Sequence, residues 1–362
     1  RTMCARVFHV LTARKYAHTR IQFRMRSLFS SRSGDSPEYR ALAVKQRDQG
    51  LLNAGDADYD RKLQETWGGP MPRWYPQAME SWPANYRGEG KVALVTGSTG
   101  GIGFFVAKLL ARCGYTMLVP AMPGRTAEAE SAVQGIIAAA PEASARVPEV
   151  NLDLRSFDSV RSFAADLRRT ETRLDVLCLN AGRGGGTQDP REVTEEGHEA
   201  IMQVNTLSQF LLTLELMPLL RASPEARIVC QTSGARFNAN PRQVADLEGN
   251  RNYNGWLQYS SSKACMCLIS RALTERLQTI GVENVITCVS EPAITATGVN
   301  VQHDLAVTLG ATQRGMSNTA KLHDRVGHHA ADGALPMTLA ALRGTAHTIW
   351  ETDGRRASSL SA

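Results

Sequence analysis

The sequence lacks any run of about 18 apolar residues, the length that a helix needs to cross a lipid bilayer. A transmembrane span is therefore not predicted, while attachment to a membrane surface or to an assembly stays open. The apolar fraction of 43% is ordinary for a globular protein. With 362 residues, the chain is long enough for one large domain with an extension, or for two domains.

The seven cysteines lack the partner ligands and spacing of a zinc site. Cys265 and Cys267 are separated by one residue and have no histidine or cysteine pair at a suitable distance along the chain. No metal is therefore predicted. Most of the cysteines lie in apolar runs, where the side chain behaves as a small hydrophobe. This usage indicates reduced thiols in a compartment outside the secretory pathway.

Acidic residues are missing from residues 1–33, which contain eight Arg or Lys. The rest of the chain has 33 basic and 35 acidic residues, so the net charge of +6 comes from this basic arm. No basic face with interleaved aromatics follows it, so nucleic acid is not predicted as a partner of the remaining chain. The Arg-rich, Ser-containing arm is typical of an organelle transit peptide, and residues 26–31 favour a mitochondrion over a plastid. The alternative is a disordered basic tail.

Residues 34–88 form an extension that is polar at first and rich in Trp and Pro from residue 67. Because proline disrupts a regular helix, we predict that residues 67–88 lie extended along a surface and are anchored by their rings. That surface is either the chain's own domain or a neighbouring subunit. A basic arm buries too little apolar surface to offset its ordering entropy. Other protein subunits are therefore the predicted partners of residues 1–88.

A glycine-rich turn follows the apolar run from Val92 to Val95, and a helical pattern follows the turn. Glycines at positions 97, 101 and 103 let the backbone approach a pyrophosphate, whose charge the next helix N-terminus stabilises. The pattern predicts a dinucleotide-binding turn. Its predicted contact residues are Thr96, Gly97, Ser98, Thr99, Gly101, Ile102 and Gly103.

Strand and helix patterns alternate from residue 91 onwards, which predicts an α/β fold with a doubly wound parallel sheet of the Rossmann type. The predicted domain spans residues 89–350, followed by a tail at 351–362. The predicted strands are 92–96, 116–120, 147–151, 174–179, 227–232 and 284–289. The predicted helices are 102–113, 126–140, 156–170, 192–220, 258–280 and 330–343.

Tyr259 and Lys263 are four residues apart, which places them on one face of a helix. A nearby ammonium lowers the pKa of a phenol, by up to about three units on a simple Coulomb estimate. Such a shift makes Tyr259 a general acid for a carbonyl or a general base for an alcohol. Ser233 is placed to hydrogen-bond the same oxygen. The alternative is an ordinary surface Tyr and Lys.

The order and spacing of these motifs, together with Asn180-Ala181-Gly182 and Asn205, resemble the short-chain dehydrogenase/reductase family over about residues 90–350. The resemblance implies an NAD(P)-dependent oxidoreductase. Its implied catalytic residues are Asn205, Ser233, Tyr259 and Lys263. It also implies that Lys263 holds the nicotinamide ribose and that Asn205 positions a water.

Further cofactor contacts follow from the same resemblance. They are Asp153 and Leu154 at the adenine, Asn180, Ala181 and Gly182 on the adenosine side, and Pro292 and Thr297 in the loop after the sixth strand. A charge at the start of the next helix is the alternative for Asp153. Segment 293–329 corresponds to the family's substrate lid.

Residues 255–265 and 292–298 are similar to the branch that contains retinol dehydrogenases and protochlorophyllide reductases. This implies an apolar carbonyl or alcohol substrate. The chain departs from the branch at Ala293, where glycine is usual and permits backbone angles that alanine avoids. It also has Met122 where the branch's NADP users have Arg, and no acid for an NAD ribose. Arg125 is near enough along the chain to reach a 2′-phosphate, so NADP is predicted, with NAD as the alternative.

Two functions remain open from the sequence. The first is an NAD(P)-dependent oxidoreductase acting on an apolar substrate, either alone or as a member of a larger organelle assembly that residues 1–88 bind. The second is a structural accessory subunit of a mitochondrial complex, which keeps the fold and the nucleotide site with little or no turnover. The complete set of motif residues favours the first, and the extension favours assembly membership.

Overall fold

The computed structural model describes residues 54–67, 70–186, 189–239, 241–293, 295, 327–346, 348–350 and 356–359. The basic arm predicted at residues 1–33 lies outside these residues. So do Thr297 and most of the predicted lid at 293–329. Within the described part of the chain, no helix is long and apolar enough to cross a membrane.

Eight strands form one sheet in the order β3-β2-β1-β4-β5-β6-β7-β8. They are β1 (Val92–Val95), β2 (Thr116–Leu118), β3 (Ala145–Arg146), β4 (Val176–Leu179), β5 (Ala226–Gln231), β6 (Val285–Ser290), β7 (Thr348–Trp350) and β8 (Arg356–Ser359). Neighbouring strands from β3 to β7 are parallel, and β8 pairs antiparallel with β7. The predicted doubly wound α/β fold is confirmed.

The helices cover both faces of this sheet. They are α1 (Tyr59–Trp67), α2 (Tyr75–Asn85), α3 (Gly101–Arg112), α4 (Thr126–Ala139), α5 (Phe157–Thr170), α6 (Ala200–Met202), α7 (Ser208–Glu215), α8 (Met217–Ala222), α9 (Pro241–Val244), α10 (Gly255–Thr279) and α11 (Ala330–Arg343). One core joins the sheet to α3, α4 and α11, and the other joins it to α5, α7 and α10. Because both faces are covered, strands such as β4 are apolar and buried at every position.

Two predicted elements differ from the structure. The strand predicted at 147–151 is wrong, since β3 ends at Arg146 and Pro148 has no N–H to donate to a strand ladder. The single helix predicted at 192–220 is also wrong. The helical segment begins at Ala200, contains a π-helical turn at Gln203–Leu207 and starts again as α8 beside Pro218. The π-turn carries Asn205.

The extended conformation predicted for residues 67–88 is wrong where the structure describes them, because α2 is a helix. Pro76 lies in its first turn, where no intrahelical hydrogen bond is needed, and Pro83 lies near its end. Tyr75 and Ala78 are buried in the same core as α3 and α11. The described part of the extension therefore packs on its own chain, and contact with other subunits stays a prediction.

Candidate active site and dinucleotide site

The predicted site residues meet at the carboxyl ends of the parallel strands. The glycine turn follows β1, Asn180 follows β4, Ser233 follows β5 and Pro292 follows β6. Carboxyl ends of parallel strands lie at one edge of the sheet, which is where open α/β sheets bind their ligands. The topology therefore brings together residues that are up to about two hundred positions apart in the sequence.

The glycines of the turn are required by its backbone geometry. Gly97 and Gly101 have φ angles of +70° and +54°, a left-handed conformation that glycine adopts without strain. A Cβ atom on Gly103 would lie 2.3 Å from the carbonyl oxygen of Gly97 and 2.5 Å from Nδ2 of Asn180. The start of α3 can therefore approach the turn and Asn180 only because residue 103 has no side chain.

Thr96 and Asn180 fix the turn against the end of β4. The hydroxyl of Thr96 accepts hydrogen bonds from the N–H groups of Asn180 (3.0 Å) and Ala181 (2.9 Å). The side-chain amide of Asn180 donates to the Thr96 carbonyl at 2.9 Å. These two predicted cofactor residues use their polar atoms within the protein. Their effect is to hold the glycine turn beside Ala181 and Gly182.

The same turn presents polar groups that the protein does not satisfy. The Ser98 hydroxyl is buried and has no hydrogen-bond partner among the described residues. The N–H groups in the first turn of a helix have no partner within that helix, which applies here to those of Ile102 and Gly103. A buried, unpartnered hydroxyl beside free N–H groups suits the acceptor oxygens of a dinucleotide. The predicted residues therefore fit this cofactor.

The predicted adenine-side residues lie between β3 and α5. Asp153 accepts from the Arg155 N–H at 2.8 Å, while α5 itself is capped by Ser156. This arrangement does not need Asp153 as a helix cap. Leu154 is buried, and its carbonyl accepts from the hydroxyl of Ser208 at 2.6 Å. Contact of Asp153 and Leu154 with a cofactor stays a prediction.

Arg125 lies at the start of α4, in the turn that follows β2. Its guanidinium is 3.3 Å from the Glu128 carboxylate, and both side chains are about half exposed. Met122, three residues earlier, is 49% exposed. A surface ion pair of this kind contributes little to stability, so the Arg125 side chain can leave Glu128 at small cost.

Tyr259 and Lys263 share one face of α10, as predicted. Lys263 Nζ lies 5.7 Å from the centre of the Tyr259 ring and donates to the Gln231 carbonyl at 3.3 Å. Ser233 follows β5 and hydrogen-bonds the Tyr259 hydroxyl. The serine, tyrosine and lysine that are predicted to be catalytic are therefore brought together by α10 and the end of β5.

The expectation that Lys263 lowers the pKa of Tyr259 is wrong. Loss of hydration raises the pKa of Tyr259 above 10.0, and the hydrogen bond with Ser233 offsets this only in part. The side chain of Lys263 is 5% exposed, and burial lowers its own pKa to about 8. At neutral pH the tyrosine is therefore protonated, and the lysine is still mainly charged.

Asn205 is held by the backbone that follows Gly182. Its side chain accepts from the Arg183 N–H (2.7 Å), donates to the Arg183 carbonyl (2.8 Å) and donates to the Ser262 hydroxyl (3.0 Å). A Cβ atom on Gly182 would lie 3.1 Å from Asn205 Oδ1 and 3.3 Å from Lys263 Nζ. Gly182 therefore lies against both side chains, and a side chain at this position would crowd them.

Pro292 and Ala293 begin the loop after β6. Ala293 has a φ of +54° and is the only residue other than glycine with a positive φ in the part of the chain described here. Alanine occupies a left-handed conformation at the position where the resembled branch has glycine. The loop thus has the left-handed backbone conformation that glycine favours, although the residue at this position is alanine.

Several residues of the site have no signal in the sequence. Gln209, on α7, donates to the Ala181 carbonyl at 2.8 Å. Arg236 and Glu291 form an ion pair, mostly buried, between the turn after Ser233 and the loop after β6. Tyr59, in the extension, accepts the Gly101 N–H at 2.8 Å. Each contact joins elements far apart in the chain, so neither spacing nor periodicity could identify it.

Among the described residues, no group of three His, Cys, Asp or Glu side chains is arranged to hold a metal ion.

Residues 91–306 match the family model described as short chain dehydrogenase. The chain belongs to this family. Mouse polyprenol dehydrogenase is 35% identical over 213 residues, which are 58% of this chain and 61% of that protein. Human retinol dehydrogenase 14 is 34% identical over 220 residues, which are 58% and 63% of the two chains. The match therefore spans about three fifths of these relatives, and it confirms the resemblance to the retinol dehydrogenase branch.

Solved structures give the same fold. The angucycline C-6 ketoreductase LanV, determined with bound NADP, superposes with a TM-score of 0.55 over 74% of this chain and 95% of its own. Its sequence is 19% identical to this one, so the likeness is one of fold. The short-chain dehydrogenase scaffold thus accounts for the sheet order and for the edge at which the site residues meet.

Proposed function

We propose that this protein is an NADP(H)-dependent oxidoreductase that reduces a carbonyl, or oxidises an alcohol, of an apolar substrate. The observation that carries the proposal is the group formed by Ser233, Tyr259 and Lys263 beside the glycine turn. Tyr259, a proton donor, and the glycine turn, whose free polar groups suit a dinucleotide, lie at the same edge of the sheet. Membership of the short-chain dehydrogenase family supports the same chemistry.

Tyr259 acts as the general acid in the reduction. A nicotinamide held by the glycine turn and Lys263 would supply the hydride that the carbonyl carbon accepts. As negative charge develops on the carbonyl oxygen, the Tyr259 hydroxyl donates its proton and the Ser233 hydroxyl donates a hydrogen bond. The Lys263 ammonium stabilises the phenolate that remains. The pKa of Tyr259 is raised by burial, so at neutral pH the residue is a protonated phenol, the form that the reduction requires.

The preference for NADP rests on the residues after β2. No carboxylate is present from Val119 to Arg125 to bind the ribose 2′-hydroxyl of NAD. Among the described residues, the half-exposed Arg125 forms an ion pair with Glu128 alone, so its guanidinium is available to a 2′-phosphate. A protein of the same fold, LanV, was solved with NADP. NAD is the alternative cofactor.

The apolar substrate is supported by the side chains around the catalytic group. Phe237 is 78% exposed in the short turn that follows Ser233. The Trp256 ring lies 5.9 Å from the Tyr259 ring. An exposed ring in the turn after Ser233 and a partly buried Trp256 ring beside Tyr259 suit an apolar molecule with one polar end. Relatives named for polyprenol and retinol act, by their names, on alcohols of this class.

Location in a mitochondrion belongs to the same proposal and is supported by the composition of residues 1–33 alone. The rival role, an accessory subunit with little turnover, drew support from the Trp- and Pro-rich extension. Where it is described, that extension packs on its own chain, so it no longer favours the rival.

The proposal is tested by following NADPH oxidation with retinal, a short polyprenal and decanal as substrates. Replacing Tyr259 with Phe should lower kcat/KM at least about 100-fold, because the proton donor is lost, and should change the Kd for NADPH by less than about twofold. Tyr253→Phe is the matched control. Tyr253 lies in the loop before α10, and its hydroxyl donates to the Glu199 carboxylate instead of bonding Ser233. Equal turnover in the wild type and Tyr259→Phe would contradict the assignment. Tight NADPH binding with no turnover of any substrate would favour the accessory role.

A further inference from the structure

The extension N-terminal to the family domain reaches the glycine turn of the dinucleotide site. The hydroxyl of Tyr59, on α1, accepts a hydrogen bond from the Gly101 N–H at 2.8 Å. Tyr59 precedes the start of the family match at residue 91. Tyr59 therefore lies outside the matched family domain. Its side chain nevertheless contacts Gly101, a residue of the glycine turn with a left-handed backbone conformation.

Tyr59 completes the N-terminus of α3. Gly100 occupies the cap position and has no side chain to accept a hydrogen bond from the helix. The first N–H bonded within the helix is that of Phe104, which donates to the Gly100 carbonyl. Three N–H groups precede it, and Tyr59 accepts the first. The remaining two, on Ile102 and Gly103, are left for a phosphate.

The ring of Tyr59 cannot easily leave this position. It is 4% exposed and packs edge-on against Phe104, with ring centres 5.3 Å apart and an interplanar angle of 81°. It also lies 5.9 Å from the Phe105 ring. Both phenylalanines belong to the first turns of α3. The tyrosine is therefore fixed to the helix whose N-terminus it caps.

The extension is anchored to the domain at two further points. The carboxylate of Asp332, on α11, accepts the N–H groups of Arg73 (2.7 Å), Trp74 (2.9 Å) and Tyr75 (2.8 Å). His329 Nε2 lies 3.2 Å from the Asp60 carbonyl oxygen, next to Tyr59 in the chain. These contacts hold α1 and α2 against α3 and α11, so the Tyr59 hydroxyl stays at the turn.

The chemistry of the hydroxyl suits a site for a polyphosphate. Burial raises the pKa of Tyr59 to about 12, so the group is a neutral hydroxyl at any pH near neutrality. A neutral acceptor satisfies the Gly101 N–H without repelling a phosphate, whereas a carboxylate at the same place would oppose phosphate binding.

We propose that the N-terminal extension is part of the dinucleotide site, with Tyr59 as a positioning residue that holds the phosphate-binding turn through Gly101. The inference rests on the proposed binding of a nicotinamide dinucleotide. Gly101 has a left-handed backbone conformation, and a glycine without a fixed hydrogen bond can also adopt conformations with negative φ. Fixing its N–H before binding means that the ligand does not have to order the turn.

The test compares Tyr59→Phe with Tyr75→Phe in the full chain. Both tyrosines are buried in the extension, lie against Phe105 and donate or accept one backbone hydrogen bond. The Tyr75 hydroxyl, however, donates to the Phe105 carbonyl (2.7 Å), away from the turn. We expect Tyr59→Phe to raise the Kd for NADPH about fivefold, the loss of one net hydrogen bond, and Tyr75→Phe to leave it within about 1.5-fold.

Hydrogen exchange of residues 97–103 in the protein without cofactor is the second measurement. It should be faster in Tyr59→Phe than in the wild type and unchanged in Tyr75→Phe. Wild-type Kd and wild-type exchange in Tyr59→Phe would overturn the inference, as would an equal loss of affinity in both variants. If the wild type binds neither NADPH nor NADH, the proposed function fails. The exchange rates then still decide whether Tyr59 holds the turn.

Discussion

At the scale of single residues, the site places a phenol and an ammonium where water is largely excluded. Loss of hydration disfavours the charged form of each group, so it raises the pKa of Tyr259 and lowers that of Lys263. For Tyr259 the result is a phenol that keeps its proton, and therefore stays neutral, across neutral pH. For Lys263 the result is an ammonium whose burial opposes folding.

Replacing Lys263 with Met should stabilise the fold at neutral pH. The pKa of Lys263 is about 8 in the folded protein against 10.5 for the free side chain, so charging it costs about 3 kcal/mol at pH 7. That cost is complete below pH 8 and disappears as the pH rises towards 10.5. Urea unfolding should therefore show a gain of about 3 kcal/mol at pH 7 that shrinks above pH 8. A gain independent of pH, or a less stable variant at pH 7, would contradict the assignment of this cost to Lys263.

Replacing Ala293 with glycine should stabilise the folded protein. Its φ of +54° strains an alanine by roughly 1–2 kcal/mol, which exceeds the entropy that glycine adds to the unfolded chain. We expect Ala293→Gly to raise the free energy of unfolding by about 0.5–1 kcal/mol in chemical denaturation. Ala239→Gly is the control, because Ala239 has a φ of −65° and should lose stability. A loss of stability in both variants would show that Ala293 is unstrained.

At the scale of elements, the contact between α11 and α2 holds the extension on the domain. Asp332 is 1% exposed and accepts three N–H groups at the start of α2, where a negative charge also suits the helix dipole. Asp332 thus accepts the N–H groups of Trp74 at the cap position and Tyr75 at the first helical position, and Pro76 has no N–H that needs a partner. The N-terminus of α2 is thus capped by Asp332 of the domain rather than by a side chain of the extension.

Asp332→Asn should lower the free energy of unfolding by about 1–3 kcal/mol, because an amide is a weaker acceptor and brings its own donors. Asp158→Asn is the matched control: its carboxylate also lies in the first turn of a helix but is 94% exposed, so the change should stay below about 0.5 kcal/mol. Denaturant unfolding measures both. Equal effects of the two substitutions would show that Asp332 does not anchor α2.

The sequence predicts the parallel strands and their helices because buried strands are continuous apolar runs bounded by Gly and Pro. It fails for α2, since Pro76 and Pro83 forbid only the interior of a helix and both lie near its ends. It fails for the break at Gln203–Leu207, which depends on contacts of Asn205 with Arg183 and Ser262. The short strands β7 and β8 carry too few residues to show a period.

At the scale of the whole molecule, the common position of the glycine turn, Asn180, Ser233 and Pro292 was predictable because each follows a strand, and the carboxyl ends of parallel strands meet at one edge of the sheet. The raised pKa of Tyr259 was not, since the sequence does not reveal how strongly the folded protein removes water from its hydroxyl. The contact of Tyr59 with Gly101 was not predictable either. It depends on how the extension folds back onto α3 and α11.

The central claim is that the edge of the sheet binds a nicotinamide dinucleotide, and titration of NADPH tests it most directly. The wild type should show one saturable site, detected by energy transfer from tryptophan. Gly101→Leu should abolish it, because the side chain would enter the open space before the turn and glycine is needed at a φ of +54°. Gly281→Leu is the control, since Gly281 has a φ of +70° and equal open space on a distant loop, and it should bind NADPH like the wild type. Absence of NADPH and NADH binding in the wild type, or unchanged affinity in Gly101→Leu, would contradict the account.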